Sequence, residues 1–342
     1  MNKRFSIFLI ALVVLPASVF AQGVSGVSKR GTTAAPFLSV PMGARATGMG
    51  GAFVAVADDP TAMYWNPAGV AELQGFHFLF DHTSWIADLG YEYFGATIGI
   101  GSLGTLGLNA TASNYGEMKV TTVDYQDGTG EVFNVTDLAV GVSYGMKLTE
   151  DFAIGFNPKM IYQKIWRMSA TGFAIDIGML YRTPFKGFTL GMSVSNFGTK
   201  MQMQGENALV LYDPDPYTTG TNGKVPAYLS TDQWDLPLTF RVGLAYDLPL
   251  ENFGRMKFAV DALHPSDNFE CLNVGTEYAF DEVIFIRGGW KSLFQKESEE
   301  GLTLGVGVRQ TVMGTMQFEA NYAYQSFSRL KSAQRISVGF VF

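Results

Sequence analysis

Cysteine is nearly absent. Cys271 is the only one in 342 residues, so no internal disulfide can staple the fold. Histidine is scarce too, with His77, His82 and His264 alone. His77 and His82 stand at odd spacing, which on a strand places them on opposite faces and speaks against a shared metal ion. Positive charge is in deficit. Of 24 basic residues two, Lys3 and Arg4, fall within residues 1–21, leaving 22 against 31 acidic ones and a net charge of −9. Nucleic acid, which needs clustered Lys and Arg, is therefore not an expected partner. Beyond the first residues no apolar run reaches the roughly 20 residues of a membrane-crossing helix. Phosphate-loop chemistry is missing as well. Gly48-Met49-Gly50-Gly51 lacks the GxGxxG spacing, and no Lys-Ser/Thr follows. No cofactor and no metal is expected.

What is present begins with a secretory signal. Lys3 and Arg4 precede an apolar stretch from Phe5 to Leu15, and Val19-Phe20-Ala21 offers a cut after Ala21. Residues 1–21 are expected to be removed on export, with no cysteine after the cut to carry a lipid. The remainder divides into a periplasmic lead-in and plug, 22–73, and a repetitive region, 74–342.

That region is apolar overall but never for long. Hydrophobic residues make up 47%, aromatics 14%, and there are 39 glycines. A soluble β-sandwich and a membrane β-barrel share this signature. Period-two alternation predicts strands near 74–84, 90–100, 104–114, 133–147, 151–166, 172–183, 187–197, 235–248, 255–264, 269–280, 283–291, 301–312, 315–327 and 333–342. Leu302, Leu304, Val306 and Val308 oppose Thr303, Gly305, Gly307 and Arg309. Leu238, Phe240, Val242, Leu244 and Tyr246 oppose Thr239, Arg241, Gly243, Ala245 and Asp247.

Connections decide between the two architectures. Gly101–Leu103, Leu148–Asp151, Thr183–Gly187, Phe280–Glu282 and Val312–Gly314 are short. Asn114–Val132, Phe197–Trp234, Ser292–Glu300 and Ser326–Lys331 are long. Short turns on one side and long loops on the other are what a barrel inserted from one side shows. The even strand number places both termini with the short, periplasmic turns. Aromatics near strand ends suit the headgroup level, and the final Ile336–Phe342 strand ends on an aromatic. Mixed charges on the polar face, among them Asp261, Glu277, Arg287 and Arg309, fit a paired network in a narrow lumen. The expected fold is an all-β, transmembrane antiparallel β-barrel of about 14 strands with an N-terminal plug in its lumen, bathed by outer-membrane lipid.

Residues 44–73 break the pattern. Glycines 48, 50 and 51 allow tight backbone packing, and Asp58-Asp59-Pro60 and Asn66-Pro67 initiate turns. Phe53, Met63, Tyr64 and Trp65 supply apolar pieces between the turns. The stretch reads as a compact insert that needs walls. In the long loop, Tyr212, Tyr217, Tyr228 and Trp234 have the composition of a protein-recognition surface, or of a loop folded over the mouth. Asp213-Pro214-Asp215-Pro216 with Asn222-Gly223 offers oxygens for Ca²⁺, but a turn-rich loop is the simpler reading. His82 beside Asp81 and Ser84 resembles a hydrolase set, yet neighbours on a strand point apart. Polar residues at headgroup level are expected there instead, and the chain reads as non-enzymatic.

Arg45-Ala46-Thr47-Gly48-Met49-Gly50-Gly51-Ala52-Phe53, then Ala57-Asp58-Asp59, then Tyr64-Trp65-Asn66-Pro67-Ala68-Gly69 resembles the start of PorV/PorQ family outer-membrane proteins. Asn66-Pro67-Ala68 also matches the signature of the wider FadL-like superfamily. The resemblance implies a fourteen-stranded barrel with an N-terminal plug in the outer membrane of a Gram-negative bacterium. The PorV/PorQ likeness implies a role in type IX secretion, binding the translocon, cargo or a surface-anchored protein. The FadL likeness implies sideways passage of small hydrophobic molecules. That requires an apolar cavity near Phe53, Met63, Tyr64 and Trp65 and a break in the wall, for which Phe156-Asn157-Pro158 is the candidate.

Overall fold

The computed structural model describes residues 28–215, 217, 224–250, 253–312 and 314–342. The expected signal peptide and residues 22–27 lie outside them, as do Pro216, Asn222 and Gly223.

Only an extended chain sends successive side chains to opposite faces, and the alternating segments are all extended. Fourteen long strands follow one another: β1 (Phe76–Ser84), β2 (Gly90–Gly99), β3 (Thr105–Asn114), β4 (Val132–Lys147), β5 (Phe152–Ile165), β6 (Met168–Arg182), β7 (Phe188–Gly198), β8 (Thr239–Leu250), β9 (Gly254–Pro265), β10 (Cys271–Phe280), β11 (Ile284–Leu293), β12 (Glu300–Val312), β13 (Met316–Phe327) and β14 (Ala333–Val341). Each pairs antiparallel with the next, including β7 with β8 across the long 199–238 connection. β14 pairs with β1, from His77↔Val341 to Ser84↔Gln334, and closes the barrel. The strand expected at 235–248 starts later, at Thr239, because Leu236-Pro237-Leu238 turns on a Leu238 N–H to Leu236 C=O bond of 2.8 Å.

The barrel is apolar on the outside. In β12, Leu302, Leu304, Val306 and Val308 are 43–53% exposed while Thr303 is fully buried. Phe80, Ile98, Leu108, Val142, Phe173, Ile286 and Ile336 continue the apolar belt on other strands. A continuous ring of this kind far exceeds the patches a soluble monomer tolerates and suits lipid. No helix among the described residues is long and apolar enough to cross a membrane.

The insert crosses the barrel. Arg30 Nε donates to Asn268 Oδ1 at 2.9 Å, Thr33 Oγ1 to Asp267 Oδ2 at 3.2 Å, and Ala34 N to Asp235 O at 2.8 Å. These partners sit at the long-loop end. β1 starts at the other end, where Phe76 and Phe342 exchange backbone bonds. The lead-in, expected beside the short turns, therefore lies at the opposite mouth, because a segment that traverses the lumen before β1 must enter from the far side.

Candidate functional site

The insert is a series of short pieces: Pro36–Ser39, Ala44–Gly48, Ala62–Trp65 and Pro67–Glu72. One end packs on β11–β14 and the other on β3–β6. Asn66 joins its parts. The side-chain Oδ1 accepts from Ala68 N at 3.2 Å and caps the turn that Pro67 begins. Nδ2 donates to Val54 O at 2.7 Å, within the insert, and to Met179 O at 3.0 Å, on β6. Pro67 and Ala68 then lie against β5 and β6 at Gly155 and Gly178, where any Cβ would collide with them or with Asn66. Gly191 and Gly275 make the same room for the backbone of Val54 and Met49. Gly50 and Gly51 adopt φ of 68° and 73°, the left-handed region where glycine is unstrained. Gly48 instead approaches the Gly305 backbone on β12.

Charge fixes the insert to the wall. Arg45 Nε donates to Glu277 Oε2 at 2.8 Å and Nη1 to Asp58 Oδ1 at 2.5 Å. Arg287 Nε reaches the same Glu277 oxygen at 2.7 Å, and Lys257 Nζ reaches Asp58 Oδ2 at 3.2 Å. Asp261 on β9 accepts from the N–H groups of Phe53 and Val54 at 2.7 and 2.9 Å. Burial pushes the Asp58 carboxyl up, but Arg45 and Lys257 more than offset it and hold Asp58 well below the usual carboxylate range. Burial dominates at neighbouring Asp59, which is raised despite Arg45 and a Thr61 hydrogen bond.

Phe53 and Trp65 are buried and meet edge to face at 6.2 Å, with Trp65 Nε1 donating to Met42 O at 2.9 Å. They form the insert's own core. Met63 and Tyr64 instead line a small cavity of about 20 Å³ with Phe37, Leu38, Tyr93 and Ala139. A larger cavity of about 340 Å³ opens at the long-loop mouth beside Arg241, Lys291 and Glu300.

The wall is irregular beside the small cavity. β4 and β5 pair from Val135↔Ile165 to Gly141↔Lys159 and again from Tyr144↔Phe156 to Lys147↔Ala153, but Val142–Ser143 and Asn157–Pro158 form no bridge. Pro158 has no N–H to offer. Nearby, a bulge between β6 and β7 sets Ser195 and Asn196 against Asp176, with Asn196 at φ 65°. Asn157, Lys159, Asp176 and Asn196 form a hydrogen-bonded cluster between the two defects.

The long loop folds into small hairpins, Leu209–Tyr212 pairing with Val225–Tyr228 and Gln233–Trp234 with Met201–Gln202. Tyr212, Tyr217, Tyr228 and Trp234 are all exposed, Tyr217 at 96%. Asp213 and Asp215 accept the N–H groups of Asp215 and Tyr217, as a turn-rich loop would. Pro216, Asn222 and Gly223 of the calcium reading lie outside the described residues.

At the rim of β1, Asp81 points inward and accepts from Gly43 N and Ser337 Oγ. The carboxylate that meets His82 is Glu92, directly across the β1–β2 ladder, with Nδ1 to Oε1 at 2.6 Å. Ser84 Oγ lies 3.3 Å from His82 Nε2. Strand register, not nearness in sequence, decides which carboxylate meets His82.

The sequence pattern described as "Uncharacterised protein family (UPF0164)" matches residues 15–342. No curated protein matches the chain. Among solved structures, the CymD monoaromatic hydrocarbon channel is similar at TM-score 0.55 and 14% identity, covering 88% of this chain and 96% of that one. The Pseudomonas putida toluene transporter TodX gives 0.55 and 11%, covering 87% and 96%. A Pseudomonas aeruginosa FadL homologue gives 0.50 and 12%, covering 86% and 96%. At such identities the likeness is one of fold, that of a FadL-like barrel.

Proposed function

The chain belongs to the uncharacterised protein family UPF0164, and from its FadL-like barrel we propose that it is an outer-membrane passage for small hydrophobic compounds, with residues 36–73 as the plug. The observation that carries this reading is the pair of wall defects beside the cavity behind Asn157. A lumen crossed by charged contacts gives an apolar molecule no straight route, whereas a weakened ladder facing lipid gives it a lateral one. Solved structures of this fold, a monoaromatic hydrocarbon channel and a toluene transporter, support the same class of cargo. The cavity of about 20 Å³ holds no more than a water, so passage requires the Phe37–Leu38 and Met63–Tyr64 side of the plug to move.

The test is entry of a hydrophobic fluorescent dye into vesicles that carry the full chain. Pro158→Val restores a ladder N–H and is expected to slow entry at least several-fold. Entry no faster than into protein-free vesicles overturns the reading.

A second reading, PorV/PorQ-like binding of a type IX secretion partner, is favoured by the exposed aromatics of the 199–238 loop. Under that reading, deleting the hairpin of Leu209–Tyr212 and Val225–Tyr228 strips a protein from the cell surface and leaves dye entry unchanged.

A further inference from the structure

We propose that Ser84, His82 and Glu92 form an ester-hydrolysing site on the lipid-facing side of the barrel rim, acting on acyl esters of membrane lipids. The proposal is independent of passage through the wall. It rests on four features of one surface patch. Ser84 and His82 stand two apart on β1 and share the outward face, with Oγ 3.3 Å from Nε2. Glu92 lies across the ladder from His82 and holds Nδ1 at 2.6 Å, which commits Nδ1 to the carboxylate and leaves Nε2 to act as base toward the serine. On the other side of Ser84, Gln334 of β14 is its cross-strand partner. The Gln334 Oε1 accepts from Tyr322 Oη at 3.2 Å, so its amide N–H groups remain available as donors. Toward the membrane the same face continues as Phe80 and Ile336, both exposed and apolar. Acyl chains lying on that belt bring their ester to the height of Ser84.

The chemistry balances with water as the co-reactant. Ser84 Oγ adds to the ester carbonyl carbon as its proton passes to His82 Nε2. The carbonyl π pair moves onto oxygen, where the Gln334 amide donates to it. The C–O bond to the alcohol then breaks, and the alcohol leaves with the proton from His82. Water repeats the sequence on the acyl-serine, releasing the fatty acid and restoring Ser84. The Ser84–His82 distance is long for a working pair and shortens when an acyl group displaces water from the patch.

A fluorophosphonate probe and fatty-acid release from phospholipid–detergent micelles test this on the full-length protein, with folding checked by heat-modifiable gel migration. The expected result is a covalent adduct on Ser84 and measurable release. Ser84→Ala abolishes both, and His82→Ala lowers release on the order of 100-fold. Glu92→Gln lowers kcat with KM unchanged, the mark of a positioning residue. His264→Ala removes an exposed histidine that pairs with Glu270 at 3.0 Å and leaves release unchanged. No adduct on Ser84 in the folded protein, or release that survives Ser84→Ala, overturns the proposal.

Discussion

Asn66 binds three groups with one amide, and two of them, Val54 O and Ala68 N, would otherwise be buried without a partner. Replacing it by alanine strands Val54 O and Ala68 N in a buried site, while Met179 O keeps its ladder pairing with Met192. At about 1–3 kcal/mol for each stranded group, Asn66→Ala is expected to remove several kcal/mol of unfolding free energy, measured by urea titration in lipid vesicles. Asn66→Asp is the sharper test. It keeps the cap to Ala68 but turns an acceptor toward two carbonyls, so it should be worse than alanine despite its near-identical shape. Asp58 and Asp59 make a second residue-scale prediction. The folded pKa of Asp59 is raised, so its carboxylate costs stability above the unfolded value of about 3.9. Stability therefore rises as pH falls from 7 through the raised value. The folded pKa of Asp58 is depressed, and its contribution is lost only as pH falls below about 4 toward the folded value. Stability measured from pH 7 to pH 3 should rise and then fall, and Asp59→Asn should diminish the rise and leave the fall.

At the scale of elements, strand glycines have two different meanings that the sequence does not distinguish. Gly191 faces inward, and a Cβ there would strike the Val54 carbonyl, while Gly288 faces outward with nothing within 4 Å. Gly191→Ala is expected to prevent the plug from seating, read as loss of the heat-resistant folded band. Gly288→Ala should stay within about 0.5 kcal/mol of the parent. The fourteen strands and their faces were legible because a barrel repeats one period, and lipid rewards apolar side chains on one face of every strand. Asn66-Pro67-Ala68 was legible as a motif because its turn chemistry is local. The insert's direction of travel was not, since nothing local records which mouth a chain enters. Nor was Glu92, ten residues from His82, or the bulge at Asn196, because both depend on pairing between strands. Pro158 falls between these cases. Its missing N–H is visible in any sequence, but only the register shows which ladder lacks it.

At the scale of the whole molecule, the insert is held to the wall by contacts that differ in their balance on its two sides. Toward β9–β11 the insert is tied by charge, through Arg45, Glu277 and Arg287, and through Asp58 and Lys257. Toward β3–β6 it is tied mainly by shape, through Pro67–Glu72 lying in a groove of glycines, with Glu72 at the end of that piece paired to Lys147 and Arg182. Under the proposed passage, an insert that yields near Met63 can do so without leaving the barrel only if the two ties fail separately. Arg45→Met tests this. It removes one partner from Glu277 and one from Asp58, although Arg287 and Lys257 remain, so the charged side should loosen while the glycine side holds. Breaking a buried pair by removing one partner costs on the order of 3–5 kcal/mol, less whatever those remaining partners recover. Planar-bilayer recordings are expected to show the parent protein silent and Arg45→Met flickering between closed and conducting levels. Deletion of residues 44–73 should give a steady current through an interior lined by Arg241, Lys257, Glu277 and Arg287. A silent Arg45→Met beside a conducting deletion would assign the closure to the glycine side, and with it the hinge on which cargo must act.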